Sequence, residues 1–267
     1  MNPLLRTARE AAEAAARIHR RDAGKILLAG ATVKARADYV SKTDIDAQTA
    51  ALSIIQRNHP DHAILVEESE DSVEEQLSSW DGRPLWIVDP LDGTANFLHE
   101  HPQYCSSVAV AVEGRSVAGS VVSGSTGEAW WASDGEGAFK NGRRIRASSQ
   151  RPLIEALVGT GFPFKLLDVL PTYLGQLDRV LRSASGVRRA GSAALDLCYL
   201  AQGSLDAFWE EILMPWDFAA GLVLVQEAGG VLSRPDGSSL EIAVGAVRGA
   251  NSTTLLDELR SVLHDDP

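Results

Sequence analysis

Cysteine is scarce in this chain of 267 residues: only Cys105 and Cys198 are present, each in apolar surroundings. Such a pair reads as two small core side chains and argues against a disulfide scaffold or a zinc site. Long apolar runs are missing as well. No stretch approaches the ~20 apolar residues a membrane helix needs, and Arg6, Arg9 and Glu10 break up the N-terminal stretch before an apolar leader core could form. Basic charge is also in deficit, 25 Lys and Arg against 36 Asp and Glu, for a net charge of −11. That balance argues against general nucleic-acid binding, which needs a basic face. It leaves room for an anionic small molecule, because a bound cation reverses the local field. The expectation is a soluble, cytoplasmic protein.

What the chain does have is WIVDPLDGTANF, residues 86–97. A short apolar run closed by Pro and Gly predicts a buried strand that ends in a sharp turn. Asp89 and Asp92 lie three residues apart on that turn, Gly93 lets backbone approach a ligand, and Thr94 adds a hydroxyl at what can be a helix start. Carboxylates suited to hard cations beside anion-binding N–H groups suggest metal-assisted phosphate chemistry. The plain alternative is an Asx turn with two solvated acids. An EF-hand is excluded, since Pro90 and Leu91 interrupt its alternating ligands.

More acids sit at the ends of other elements. His62 to Val66 is a second short apolar run, and it stops at Glu67 and Glu68. Asp217 follows Trp216 at the start of an apolar helical pattern, where it is a helix cap or a metal ligand. Asp44 stands before the helical stretch Ile45 to Arg57 and reads first as a cap. Taken singly each acid has an ordinary explanation; together they suggest one site.

The periodicity predicts a long first helix from Pro3 to Leu28, a polar loop from Lys34 to Lys42, and strands separated by Gly turns from Cys105 to Phe139. Helices are expected again over Leu166 to Leu181, Ala193 to Ala201, Phe218 to Ala228 and Ser252 to Leu263, with a strand at Leu205 to Trp209. The class is α/β with helices and sheets in layers. The length allows one catalytic unit, 1–267, with a soft boundary near 148–152 and acids on both sides of it.

These segments resemble the inositol monophosphatase family. DPLDGTANF (89–97) is similar to its first motif and WDFAAG (216–221) to its second. Glu67-Glu68-Ser69 is similar to its G-E-E-S segment, with Val66 in place of Gly. Thr43-Asp44, GEGAFKNG (135–142) and GSAALDL (191–197) resemble further family segments, in order along nearly the whole chain. The resemblance implies the αβαβα sandwich shared with fructose-1,6-bisphosphatases, a lithium-sensitive Mg²⁺-dependent phosphatase, and a homodimer.

It also implies roles. Asp89 would bridge two metal ions, with Glu67 and the Leu91 carbonyl on the first and Asp92 and Asp217 on the second. A third, weaker ion would use Glu67; Mn²⁺ could stand in for Mg²⁺. Thr94 and Asp44 would hold the attacking water, with Glu67 assisting. Gly93 and Thr94 N–H groups would cradle phosphate, and Ala193 would meet substrate through its backbone. Glu210 matches the acid that accepts ring hydroxyls in inositol-specific relatives, a task suited to a carboxylate; the alternative is surface charge beside Glu211. Arg188 and Arg189 read as solvated or as partners of a second phosphate, Asp196 as a residue holding the turn after Gly191, and His99 and His101 as a surface loop.

The implied activity is hydrolysis of myo-inositol monophosphate or a similar polyol phosphate. The same metal core would serve a fructose-1,6-bisphosphatase, a histidinol-phosphatase or a 3′-phosphoadenosine-5′-phosphate phosphatase. A different class is a regulatory protein associated with RNA polymerase.

Overall fold

The computed structural model describes residues 2–264 apart from 27, 37 and 165. Helix α1 (Pro3–Asp22) is capped by Asn2, whose side chain accepts the Leu4 N–H, and Pro3 occupies its first turn. It ends earlier than the periodicity suggested, because Gly24 adopts a left-handed conformation, φ +73°, just past the helix. The expected polar loop instead contains a hairpin, β1 (Thr32–Ala35) and β2 (Asp38–Val40), in which β-branched and aromatic residues outweigh the interspersed charges. Then come α2 (Lys42–Asn58), β3 (Ala63–Val66), α3 (Val73–Ser78), β4 (Leu85–Asp92) and the short α4 (Thr94–Leu98). The expected meander follows as β5 (Cys105–Val112), β6 (Arg115–Ser123), β7 (Ala129–Ser133), β8 (Gly137–Lys140) and β9 (Arg143–Arg144).

The second half runs through β10 (Leu157–Thr160), α5 (Leu170–Ser183), β11 (Gly186–Arg188), α6 (Ala193–Ala201) and β12 (Ala207–Leu213). It closes with α7 (Pro215–Glu227), β13 (Val231–Ser233), β14 (Gly245–Ala250) and α8 (Thr253–Leu263). Helix α5 starts at Leu170, not Leu166, since Pro171 is tolerated only in a first turn. Strand β12 reaches Leu213, past the expected end at Trp209, carrying Glu210 within the strand.

Two sheets organise the layers. One has seven strands in the order β3-β4-β5-β6-β7-β8-β9, the other five in the order β11-β10-β12-β14-β13. Both are covered on two faces, so their strands are apolar on both sides. On β4 and β5, Trp86, Val88, Val108 and Val110 pack on α1 and α2, while Leu85, Ile87, Ala109 and Ala111 pack toward α6 and α7. On β12, Phe208 faces α6 and α7, whereas Trp209 meets Tyr173, Val180 and Leu255 of α5 and α8. The order of layers is therefore helices, seven-stranded sheet, helices, five-stranded sheet, helices. Strand β4 and helices α6 and α7 converge at one end of this stack, which positions the acids.

Candidate active site

The bulge in the β4–β5 pairing, between Asp89 and Asp92, turns both carboxylates out of the ladder toward one point. Asp89 is 1% exposed. Its Oδ1 accepts the Leu91 N–H at 3.0 Å, so the plain Asx turn is present and it aims the carboxylate. Asp92 Oδ2 accepts from Ser192 Oγ at 2.6 Å and from the Ala194 N–H at 2.9 Å, and so ties the end of β4 to the start of α6. Asp217 Oδ2 accepts the Met214 N–H at 2.7 Å in the first turn of α7. The cap and the cluster are thus one arrangement: the local bond fixes each carboxylate's direction. Oxygen atoms of Asp89, Asp92 and Asp217 lie within 4.8 Å of one another.

Packing like charges this closely is unfavourable without a cation. Burial first, then Glu67, Asp92 and Asp217, push the Asp89 carboxyl well above the usual carboxylate range, and Glu67 also hydrogen-bonds to it. Burial raises Asp92 too, against the lowering effect of Ser192 and Ala194. Oxygen donors only, converging and mutually repelling, fit a hard divalent cation. Glu67 reaches the group from the end of β3, where its N–H bonds to the Val88 carbonyl at 3.3 Å.

Beside this cluster, Gly93 is left-handed, φ +89°, and a Cβ there would come within 2.7 Å of the Gln103 carbonyl oxygen. The turn carries Thr94, whose Oγ1 lies 2.9 Å from Asp44 Oδ1 and 3.0 Å from the Leu91 carbonyl. Asp44 completes a capping box with Ser41 on α2 and is fully buried, which raises its pKa. The first N–H groups of α4 have no partner within the helix.

A cavity of about 460 Å³ opens over the cluster. Glu67, Asp89, Leu91, Asp92, Gly93, Thr94, Ala193, Glu210 and Asp217 all border it. Asp44 stands behind Thr94 and does not line it. The Ala193 N–H points at Asp92, which already engages it. Glu210 is not surface charge: it is held against Gly161, and burial first, then Asp196 and Asp92, pushes it up to about 8. Arg189 also borders the cavity, its guanidinium 5.2 and 5.1 Å from the ring centroids of Phe162 and Phe164. His99 lines the rim and is exposed, as is His101. Cys105 and Cys198 are free, buried thiols.

The sequence reading missed several contributors. Phe162 and Phe164 flank Pro163 in a loop, and two exposed aromatics around a proline were the available signal. Asn96 lies inside the quoted motif; its Nδ2 donates to the Gln103 and Ala190 carbonyls at 2.6 and 3.0 Å, clamping α4 to the segment before α6. His19 donates from Nε2 to the Pro90 carbonyl at 2.7 Å, behind the turn that carries Asp89 and Asp92. Burial lowers this histidine to about 4, so it is neutral.

Among the described residues, no helix is long and apolar enough to cross a membrane. A family model described as inositol monophosphatase family matches residues 1–265. A Nus factor SuhB of Pseudomonas aeruginosa is 39% identical over 255 residues, covering 94% of this chain and 93% of that protein. An inositol-1-monophosphatase of Rhizobium meliloti is 39% identical over 227 residues, covering 85% and 84%. The crystal structure of extragenic suppressor protein suhB from Bartonella henselae superposes with a TM-score of 0.90 at 36% identity, over 100% of both chains. Converging carboxylates, the αβαβα layers and these matches agree: the chain belongs to the inositol monophosphatase family.

Proposed function

We propose that the protein is a Mg²⁺-dependent phosphomonoesterase that hydrolyses myo-inositol monophosphate, or a similar polyol phosphate, to the free alcohol and phosphate. The reading is carried by three aspartates whose oxygens converge within 4.8 Å at the base of one cavity. Asp89, Asp92, Asp217, Glu67 and the Leu91 carbonyl would hold the cation. Bound Mg²⁺ supplies charge neutralisation at the phosphoryl oxygens, a more acidic water and stabilisation of the departing alkoxide.

The chain's own groups have separate tasks. Asp44 accepts the Thr94 hydroxyl proton, which leaves a Thr94 lone pair to accept from the attacking water and orient it. The Gly93 and Thr94 N–H groups face the space for phosphoryl oxygens at the start of α4. On the opposite side, Glu210 accepts hydroxyls of the leaving alcohol. No side-chain nucleophile is required, and both thiols are raised well above their usual range by burial.

The test is phosphate release, with Mg²⁺ or Mn²⁺ and a chelator control, from four esters: inositol 1-phosphate, fructose 1,6-bisphosphate, histidinol phosphate and 3′-phosphoadenosine 5′-phosphate. Metal-dependent preference for the first supports the reading; preference for another keeps the metal core and replaces the alcohol. The implied lithium inhibition and homodimer are read in the same preparation, by titration with lithium and by sedimentation. A second reading, a Nus-factor role, draws on the name of the Pseudomonas aeruginosa relative. A cellular phenotype that survives Asp89→Asn while phosphate release is lost would favour it.

A further inference from the structure

One carboxyl in the cavity has no part in the mechanism above. Asp196 lies on α6, a turn beyond Ser192, and is 2% exposed. Its Oδ1 has no hydrogen-bond partner. The sequence suggested that it holds the turn before α6, but Ser192 does that: its Oγ accepts the Leu195 N–H at 3.4 Å and donates to Asp92. A buried oxygen without a partner carries a desolvation penalty that folding alone leaves uncompensated. Such a group is better explained by a ligand that supplies the missing donor.

The surroundings define that ligand. Asp196 borders the same cavity as Glu210 and Arg189. Burial raises both carboxyls and so does nearby Asp92, while Arg189 acts on both in the opposite sense. Its guanidinium is held at the mouth by the Phe162 and Phe164 rings. Two acceptors beside a fixed cation suit a neutral molecule that presents several hydroxyls.

We propose that Asp196 is a specificity-determining residue whose carboxyl group, which borders the cavity, meets a second hydroxyl of a polyhydroxylated leaving alcohol, the first being met by Glu210. This rests on the phosphatase reading and adds to it a second residue that reads the polyol.

The experiment compares wild type, Asp196→Leu and Asp196→Asn on inositol 1-phosphate and on p-nitrophenyl phosphate, with histidinol phosphate as a cationic control, in the presence of Mg²⁺, and records Tm for each. The expected result is a KM-weighted loss. Asp196→Leu lowers kcat/KM for inositol 1-phosphate about 10- to 100-fold more than for the aryl ester. Asp196→Asn, which keeps an acceptor oxygen, recovers most of that difference. Tm holds or rises in Asp196→Leu, since an unsatisfied buried acid has been removed. Equal losses on the two esters, or a falling Tm in both variants, would assign Asp196 to the fold and overturn the proposal. A selective loss on histidinol phosphate instead would overturn it in favour of a cationic alcohol. If wild type cleaves neither ester, the phosphatase reading fails and takes the proposal with it. Cleavage of the aryl ester with no selective loss sinks the proposal alone.

Discussion

The two ends of the cavity are built from the same residue type by opposite means. At the phosphate end, Asp89, Asp92 and Asp217 each accept a backbone N–H that fixes the carboxylate, from Leu91, Ala194 and Met214. At the end proposed to hold the alcohol, Asp196 Oδ1 is unpartnered and Glu210 is raised to about 8, with Arg189 stacked on exposed aromatics. The first end is preorganised, so a metal would find its ligands already aimed. The second leaves acceptors open, so that the ligand completes them. In the proposed function, reaction chemistry would thereby be separated from the choice of alcohol.

The largest effect should come from breaking the first end. Asp89→Asn is expected to lower kcat/KM on the order of 10³-fold for every ester, as loss of a preorganised electrostatic group does. It should also abolish the rise in Tm when Mg²⁺ is returned to chelator-treated protein, a rise expected by linkage in the wild type. A uniform loss across esters sharpens the division between the ends; a loss that depends on the alcohol breaks it. Next, Thr94→Val should reduce kcat roughly 10²-fold with little change in KM, as removal of a water-positioning hydroxyl predicts. A KM effect restricted to inositol 1-phosphate would move Thr94 to the alcohol end.

A smaller change is expected in stability. Gly93→Ala puts a Cβ into a left-handed position and within 2.7 Å of the Gln103 carbonyl oxygen. The cost is about 2–4 kcal/mol, a Tm lower by roughly 5–10 °C in calorimetry. An unchanged Tm would show that the phosphate end is not rigid. A further effect, on the pH dependence of stability, concerns Glu210. Its ordinary value is 4.5 and its folded value about 8, so the folded protein keeps a proton that the unfolded chain releases between those values. Stability therefore falls as pH rises through that window and levels off above it. Glu210→Gln should flatten this part of a Tm-against-pH curve in chelator; an unaltered slope would place Glu210 in water.

The two ends also differ in how legible they were. Asp89 and Asp92 could be read because one turn holds both, and Glu67 and Asp217 because each closes or opens an apolar element. The cap readings of Asp44 and Asp217 proved compatible with the site, since capping and aiming use one hydrogen bond. The alternation of helices and sheets followed from the periodicity, whereas the αβαβα order came from the family resemblance. The place of Asp196 at the cavity wall was not legible, because it depends on β12 and on the loop around Phe162, which periodicity cannot bring together. His19 was not noticed at all: it acts on Pro90 across 71 residues, and nothing local marks it. The hairpin β1–β2 and the early end of α1 were lost to charge patterning and to a single left-handed glycine.

The bond from Asp92 to the start of α6 sets a length. Ser192 and Ala194 are held by Asp92, and Asp196 follows on the same rigid turn, about 6 Å along the helix axis from Ser192. In the proposed reading that turn works as a gauge between phosphorus and the far hydroxyl. Trimming side chains around the cavity would then widen it without lengthening the gauge. Only a residue inserted into or deleted from 192–196 would admit an alcohol of another size, so variation in substrate length is to be sought in α6 and not in the pocket wall.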